Sequence, residues 1–158
     1  MSIEKVRDYL SGFGVADRIQ EFDVSSATVE LAAIALGING ARIAKTISLS
    51  SGDGGCILIV TAGDYKIDNR KFKDRFSIKP KMLSHEEALE FTGHAVGGVC
   101  PFALPEGVPV YLDESLRRFE TVFPAAGSSN SALELTPDEL FTTSSALGWV
   151  DVCKSREA

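Results

Sequence analysis

The sequence predicts a single mixed α+β domain, a barrel-like open sheet of mixed strand direction surrounded by helices. Three observations carry that prediction. At 158 residues the chain holds one sizeable core and is too short for two ordinary domains. Apolar positions recur along it with two different periods, one helical and one strand-like. The two kinds of segment alternate without the strict regularity of a parallel doubly wound sheet. No repeat, low-complexity tract or linker interrupts them, so residues 1–158 read as one domain.

The elements follow in order. Ile3, Val6, Leu10 and Phe13 have helical spacing and predict an amphipathic helix over 3–13. Arg18 to Val24 reads as a short strand. Ser26 or Thr28 is placed to cap a second helix, VELAAIALG, which Gly37 closes. A brief helical turn leads to two strands, Lys45–Leu49 and Cys56–Ala62, joined through SSGDGG as a hairpin. A basic helix begins near Ile67 and runs to Phe76. Ser84 and Glu87 have capping-box spacing at the head of the next helix, and Gly93 ends it. Strands are expected at Val108–Leu112, Thr121–Ala126 and Ala132–Leu135. Thr136-Pro137-Asp138-Glu139 combines a cap, a proline at the first helical position and an acid at the third, a strong helix start. Trp149–Val152 predicts a last strand.

Composition narrows the function. No apolar run approaches the roughly 18 residues that span a bilayer. MSIEKVRDYL lacks the basic flank and apolar centre of a signal peptide, so the cytoplasm is expected. Cys56, Cys100 and Cys153 are far apart and odd in number; no Cys/His cluster suggests a metal, and free buried thiols are expected. The net charge of −6 is uneven. Lys66 to Lys81 holds seven Lys/Arg against two Asp, leaving −11 for the remainder. A basic strip on an acidic body suits contact with a phosphate backbone through Lys71 and Lys73 without general affinity for nucleic acid; a solvated helix face is the plain alternative.

The chemistry-bearing residues are few. His94 and Cys100 stand six apart, a spacing open to a thiol nucleophile and its base. Nothing local supplies an orienting group, and Cys100 between Val99 and Pro101 reads equally as a small buried hydrophobe. His85 falls within a capping box and reads as an exposed helix residue. No GxGxxG or Walker pattern occurs, so no nucleotide cofactor is expected. Lys45 opens an apolar strand, where a lysine is either a surface residue or a point charge facing a cleft. In Val96-Gly97-Gly98-Val99-Cys100-Pro101, the glycines let backbone approach a ligand and permit φ > 0. Their N–H groups serve as an anion or oxyanion site, or the loop is a structural turn. Gly127-Ser128-Ser129-Asn130 is a second small polar loop.

Together, IAKTI with Lys45, GGVCP as a GxxxP loop (Gly97 to Pro101) about fifty residues later, and the glycine–serine loop before LELTPDEL resemble the YbaK/prolyl-tRNA-synthetase-associated domain family of trans-acting aminoacyl-tRNA editing proteins. The resemblance runs through nearly the whole chain. It implies a mixed, barrel-like fold and hydrolysis of the ester in a mischarged tRNA, of the tRNA(Pro) type. Lys45 would lie near the substrate's 3′ acceptor end, and the loop of Gly97, Gly98 and Pro101 would present amides to the aminoacyl carbonyl. Water attacks, or a substrate group assists, and no protein nucleophile or cofactor is required. Prolyl-tRNA synthetase is an implied partner. Where the cysteine-specific branch has an aspartate this chain aligns Ala132, and Phe22 replaces a tyrosine. Cysteine specificity is therefore not carried over. Phe22, Val29, Ser128 and Ser129 are the expected wall of the amino-acid pocket. A non-catalytic module of the same fold, holding tRNA or a synthetase, is the alternative.

Overall fold

A computed structural model describes residues 2–157 of the chain. The first helix, α1 (Ser2–Ser11), buries Ile3, Val6 and Leu10 as their spacing requires. It stops short of Phe13, because Gly12 and Gly14 follow and Gly14 takes a φ of +75°. The strand expected over 18–24 is reduced to β1 (Gln20–Glu21), preceded by a 3-10 turn over Ala16–Arg18. The rest of that segment spends its hydrogen bonds on a loop. Phe22 N–H donates to Asn130 O at 2.8 Å, and Asn130 Nδ2 donates back to Phe22 O at 2.9 Å.

Helix α2 (Val29–Leu36) starts where Thr28 Oγ1 accepts from Leu31 N–H, and ends at Gly37 with φ +68°. A 3-10 turn over Gly40–Arg42 leads into β2 (Ile43–Ser50), which pairs antiparallel with β3 (Cys56–Ala62) from Ala44↔Ala62 to Ser50↔Cys56. All residues of β3 are buried, so both of its faces are covered. Next comes β4 (Tyr65–Ile67), in residues partly assigned to the basic helix. That helix, α3 (Asn69–Phe76), begins only after Asp68, whose carboxylate accepts from Arg70 and Lys71 N–H. Both halves of the Ser84/Glu87 capping box form at α4 (His85–Thr92), and Gly93 closes it at φ +78°.

After β5 (Val110–Asp113) the chain forms β6 (Phe123–Pro124) and β7 (Ser131–Ala132), shorter than the strands expected there. Pro124 has no N–H to extend a ladder, and only isolated bridges, Val122↔Leu135 and Ala125↔Ala132, continue the pairing. The Thr136/Glu139 capping box opens α5 (Pro137–Thr143). The chain ends with β8 (Gly148–Val150) and β9 (Cys153–Ser155).

The main sheet runs β6-β2-β3-β5-β8, with β2 and β3 antiparallel and the other pairs parallel. The mixed sheet is as expected; the barrel-like closure is not formed. The sheet ends at β8 on one side; beyond β6 the Val122↔Leu135 and Ala125↔Ala132 bridges link it to the segment that carries β7, and β1–β7 and β4–β9 form two-stranded ribbons. Leu58, Val60 and Ala62 of β3 face a core shared with Val6, Leu10, Cys100, Phe102 and Leu133. Ile57 and Ile59 face a second core built on Ile47, Leu49, Phe72 and Val152. Each fully buried Leu or Ile is worth about 1.5–3 kcal/mol, so this two-faced strand is the scaffold on which β2 is fixed.

Candidate active site

The site lies where β2 runs out of neighbours. On its outer edge β6 covers only Ile43 and Ala44. Further along, Leu83 N–H donates to Ser48 O at 3.0 Å and Ser50 N–H to Lys81 O at 2.8 Å. Residues of one parity point their backbone groups to the same edge of a strand, so Thr46 aims its N–H and C=O into the gap between these contacts, where no described residue pairs with it. Its hydroxyl Oγ1 is also buried without a hydrogen-bond partner. A cavity of about 420 Å³ occupies this gap, within the range of small-ligand sites.

Lys45 lines that cavity, exposed and opposite Thr61 in the β2–β3 register. Val29 of α2 and Gly97 line it too. The rest of the wall mixes small residues such as Ala27, Ala32, Ala125 and Ala132 with larger apolar ones such as Ile43, Ile47 and Phe123 and polar ones such as Ser26, Thr28 and Glu30. His85 and Met82 stand on the side of the 81–83 segment, and Arg156 enters from the far end of the chain. Arg156 is carried there by the β4–β9 ribbon; its N–H donates to Asp64 O at 2.9 Å and its guanidinium stands 3.6 Å from Glu30.

The glycine loop owes its course to close packing. Gly97 has φ +83°, and a Cβ there would stand 3.0 Å from Ala27 Cβ and 3.2 Å from Ser129 Cβ. A Cβ on Gly98 would meet three backbone atoms of Gly127 and Ser128, each at 2.9 Å. The two glycine loops thus lie directly on one another. Gly98 does not line the cavity, and its N–H is already used, donating to Ala95 O at 3.0 Å. The amides of Gly97 and Val99 have no partner among the described residues, and both residues line the cavity. Of this loop the sequence singled out Gly97, which lines the cavity, and Gly98, which does not; Val99 carried no signal of its own.

The remaining predicted residues are support or lie elsewhere. Pro101 is buried behind the loop. Phe22, Ser128 and Ser129 do not line the cavity. Ser128 Oγ bonds Asn130 Oδ1 at 3.0 Å and Ser131 Oγ at 2.6 Å, while Ser129 O accepts from Ser26 N–H at 2.6 Å. The residues of this region that reach the cavity are Ser131 and Ala132. Lys71 is not brought to the cavity; it pairs with Asp151 at 3.0 Å and donates to Cys153 O at 3.1 Å. Lys73 is exposed on α3 and does not line the cavity either. His85 caps nothing itself and does face the site. Thr46 was visible beside Lys45 in IAKTI, whereas Arg156 had no local signal because β4 and β9 were not legible.

The Cys100–His94 pair is not arranged for nucleophilic chemistry. Cys100 is fully buried, and burial pushes its thiol up to about 12. The imidazole Nε2 lies 2.8 Å from Phe102 O and 3.5 Å from Cys100 Sγ. A carbonyl only accepts, so Nε2 carries the proton and has no lone pair to take one from the thiol. Burial lowers the pKa of His94, which favours this neutral ring.

Comparison with known proteins finds the chain's likeness among aminoacyl-tRNA editing domains. Residues 23–143 match the model of the aminoacyl-tRNA editing domain. The uncharacterized protein YwhH of Bacillus subtilis (strain 168) is 52% identical over 157 residues, covering 99% of this chain and 100% of that one. An Enterococcus faecalis protein named "Putative Cys-tRNA(Pro)/Cys-tRNA(Cys) deacylase EbsC" is 28% identical over 116 residues, 73% of this chain and 71% of its own. Among solved structures, "Crystal structure of a putative trans-editing enzyme for prolyl tRNA synthetase" superposes with a TM-score of 0.86 at 28% identity, covering 98% of each chain.

Proposed function

This chain belongs to the aminoacyl-tRNA editing domain family, and on that premise we propose that it hydrolyses the ester of a mischarged aminoacyl-tRNA, acting in trans on tRNA of the tRNA(Pro) type. One observation carries the reading. Lys45 and Gly97, 52 residues apart in sequence, line one cavity at an unpaired strand edge.

The 3′-terminal adenosine and its aminoacyl group occupy this cavity in the proposed complex. Lys45 supplies a positive charge beside the acceptor end. The amides of Gly97 and Val99 receive the carbonyl oxygen as negative charge grows on it; one such donor contributes about 10²–10³ in rate. Water adds to the carbonyl carbon, the carbon–oxygen bond to the ribose breaks, and the departing ribose oxygen takes a proton. The neighbouring ribose hydroxyl is placed to relay it. Free amino acid and uncharged tRNA result. Such an ester is already activated, so positioning and oxyanion stabilisation suffice without a protein nucleophile.

The alanines of the wall favour a small uncharged side chain, as in a second sieve where pocket size decides entry. No described helix is long and apolar enough to cross a membrane, in keeping with a cytoplasmic role beside prolyl-tRNA synthetase. Turnover of tRNAs charged with alanine, serine, threonine or cysteine tests the reading. At least one ester is cleaved, and Lys45→Ala lowers kcat/KM by about 10²-fold or more while the fold persists. Full activity in Lys45→Ala removes the mechanism. Tight binding without turnover of any ester makes the protein a tRNA- or synthetase-binding module instead.

A further inference from the structure

The buried imidazole of His94 plays no part in bond making, yet it sits at the base of the loop that carries Gly97 and Val99. It is 1% exposed. Nε2–H donates to Phe102 O at 2.8 Å, and Nδ1 accepts from the Ser2 hydroxyl on α1. The His94 N–H is itself held by Thr92 Oγ1 at 3.1 Å, and that hydroxyl donates to Ala88 O of α4 at 2.6 Å. The ring therefore joins α1 to the residue that follows Pro101, while the backbone N–H of His94 fixes it to the end of α4. Between His94 and Phe102 the loop's own backbone bond is the turn from Gly98 N–H to Ala95 O. Its remaining support is packing, of Gly97 and Gly98 against Ala27 and residues 127–129 and of Cys100 into the main core.

We propose that His94 is the positioning residue of the 95–101 loop: its neutral imidazole ties the far end of the loop to α1, its backbone N–H ties the near end to α4, and together they hold the Gly97 and Val99 amides at the cavity. The tautomer is fixed from both sides, because a carbonyl needs a donor at Nε2 and the serine hydroxyl supplies one to Nδ1. A loop displaced by about 1 Å is enough to cost 10²-fold in rate, since oxyanion donors act only when pre-aligned. Cys100, 3.5 Å from the same nitrogen, fills the space beside the ring.

The activity arm of the test rests on the deacylase reading; a structural arm does not. Three variants are compared with the wild type: His94→Leu, which loses both bonds, His94→Gln, whose amide N–H stands in for Nε2–H, and Ser2→Ala, which removes only the Nδ1 partner. In His94→Leu the ¹H–¹⁵N resonances of Gly97 and Val99 shift or broaden, those of β3 staying in place. Deacylation by the folded protein falls about 10- to 100-fold in kcat at nearly unchanged KM. His94→Gln restores the loop resonances and brings kcat to within about fivefold of wild type, and Ser2→Ala falls between the two. If His94→Leu does not fold, the ordering of His94→Gln and Ser2→Ala decides the matter by the same two readouts. Loop resonances that superpose on the wild type in both His94→Leu and Ser2→Ala overturn the proposal, as does a loss of thermal stability with kcat untouched. A wild type that turns over no ester refutes the deacylase reading, and the resonances still decide the role of His94.

Discussion

Two glycines and one cysteine in the same loop behave oppositely. Alanine at position 97 must hold a φ of +83° and push its Cβ to within 3.0 Å of Ala27. The backbone strain is about 1–3 kcal/mol, and the loop relieves it by moving away from the 127–129 loop. Gly97→Ala is therefore expected to lower kcat/KM at least tenfold while Tm falls by only a few degrees. Cys100→Ala removes a buried sulfur that touches nothing reactive, and its kcat stays within about threefold of wild type. Steady-state kinetics of both variants check this; an active Gly97→Ala, or an inactive but folded Cys100→Ala, reverses the assignment. Glycine placement was legible because few residues tolerate such a backbone. Which N–H groups remain free was not, since the turn that uses Gly98 depends on tertiary packing.

Legibility at the level of elements follows the same division. Helices whose ends carry their own chemistry, such as Ser84/Glu87, Thr136/Glu139 and Gly37, were readable because those bonds are local. β2 and β3 were readable from a dense apolar run and a turn between them. β4 and β9 are three residues each and exist through their mutual pairing, which no local pattern encodes. The basic strip is divided by that pairing. Lys71 bonds Cys153 O of β9 and Asp151 just before it, whereas Lys81 directly precedes Met82 and Leu83, which line the cavity. Two outcomes are expected when tRNA binding is measured against salt. Lys71→Ala lowers Tm slightly and leaves the salt slope unchanged, because an exposed pair is worth at most about 1 kcal/mol. Lys81→Glu weakens binding and reduces the slope by about one. A slope that responds to Lys71 and not to Lys81 returns the contact to α3.

For the whole molecule, the buried groups set a pH range of greatest stability. His94 has its folded pKa below the ordinary imidazole value, chiefly through burial, with Lys5 adding repulsion and the bond to Phe102 O opposing. A base with a lowered folded pKa binds more protons when unfolded. Its contribution is complete above the unfolded value of about 6.5 and is lost as pH falls below it. Cys100 and Cys153 act at the other limb. Burial raises both thiols to about 12 from an ordinary value of 9.0. The folded state then retains protons that the unfolded chain releases, so stability is complete below about 9 and declines above it. Carboxylates held low by their partners enter later. Glu139, bonded to Arg18, and Asp68, bonded to the α3 amides, lose their contribution only as pH drops below about 4. Stability should therefore be flat between roughly pH 6.5 and 9 and fall on both sides, by at most about 1.4 kcal/mol per pH unit for each proton involved. In a protein of this size that is about 3–5 °C of Tm per unit. Thermal melts from pH 5 to 10.5 on the wild type, His94→Gln and Cys100→Ala resolve the sources. His94→Gln should flatten the slope between pH 5 and 6.5 and leave the alkaline limb alone; Cys100→Ala should leave the acid slope alone and reduce the alkaline one to the share of Cys153. An acid slope that persists unchanged in His94→Gln would mean that the imidazole is not the group whose charging opens the fold.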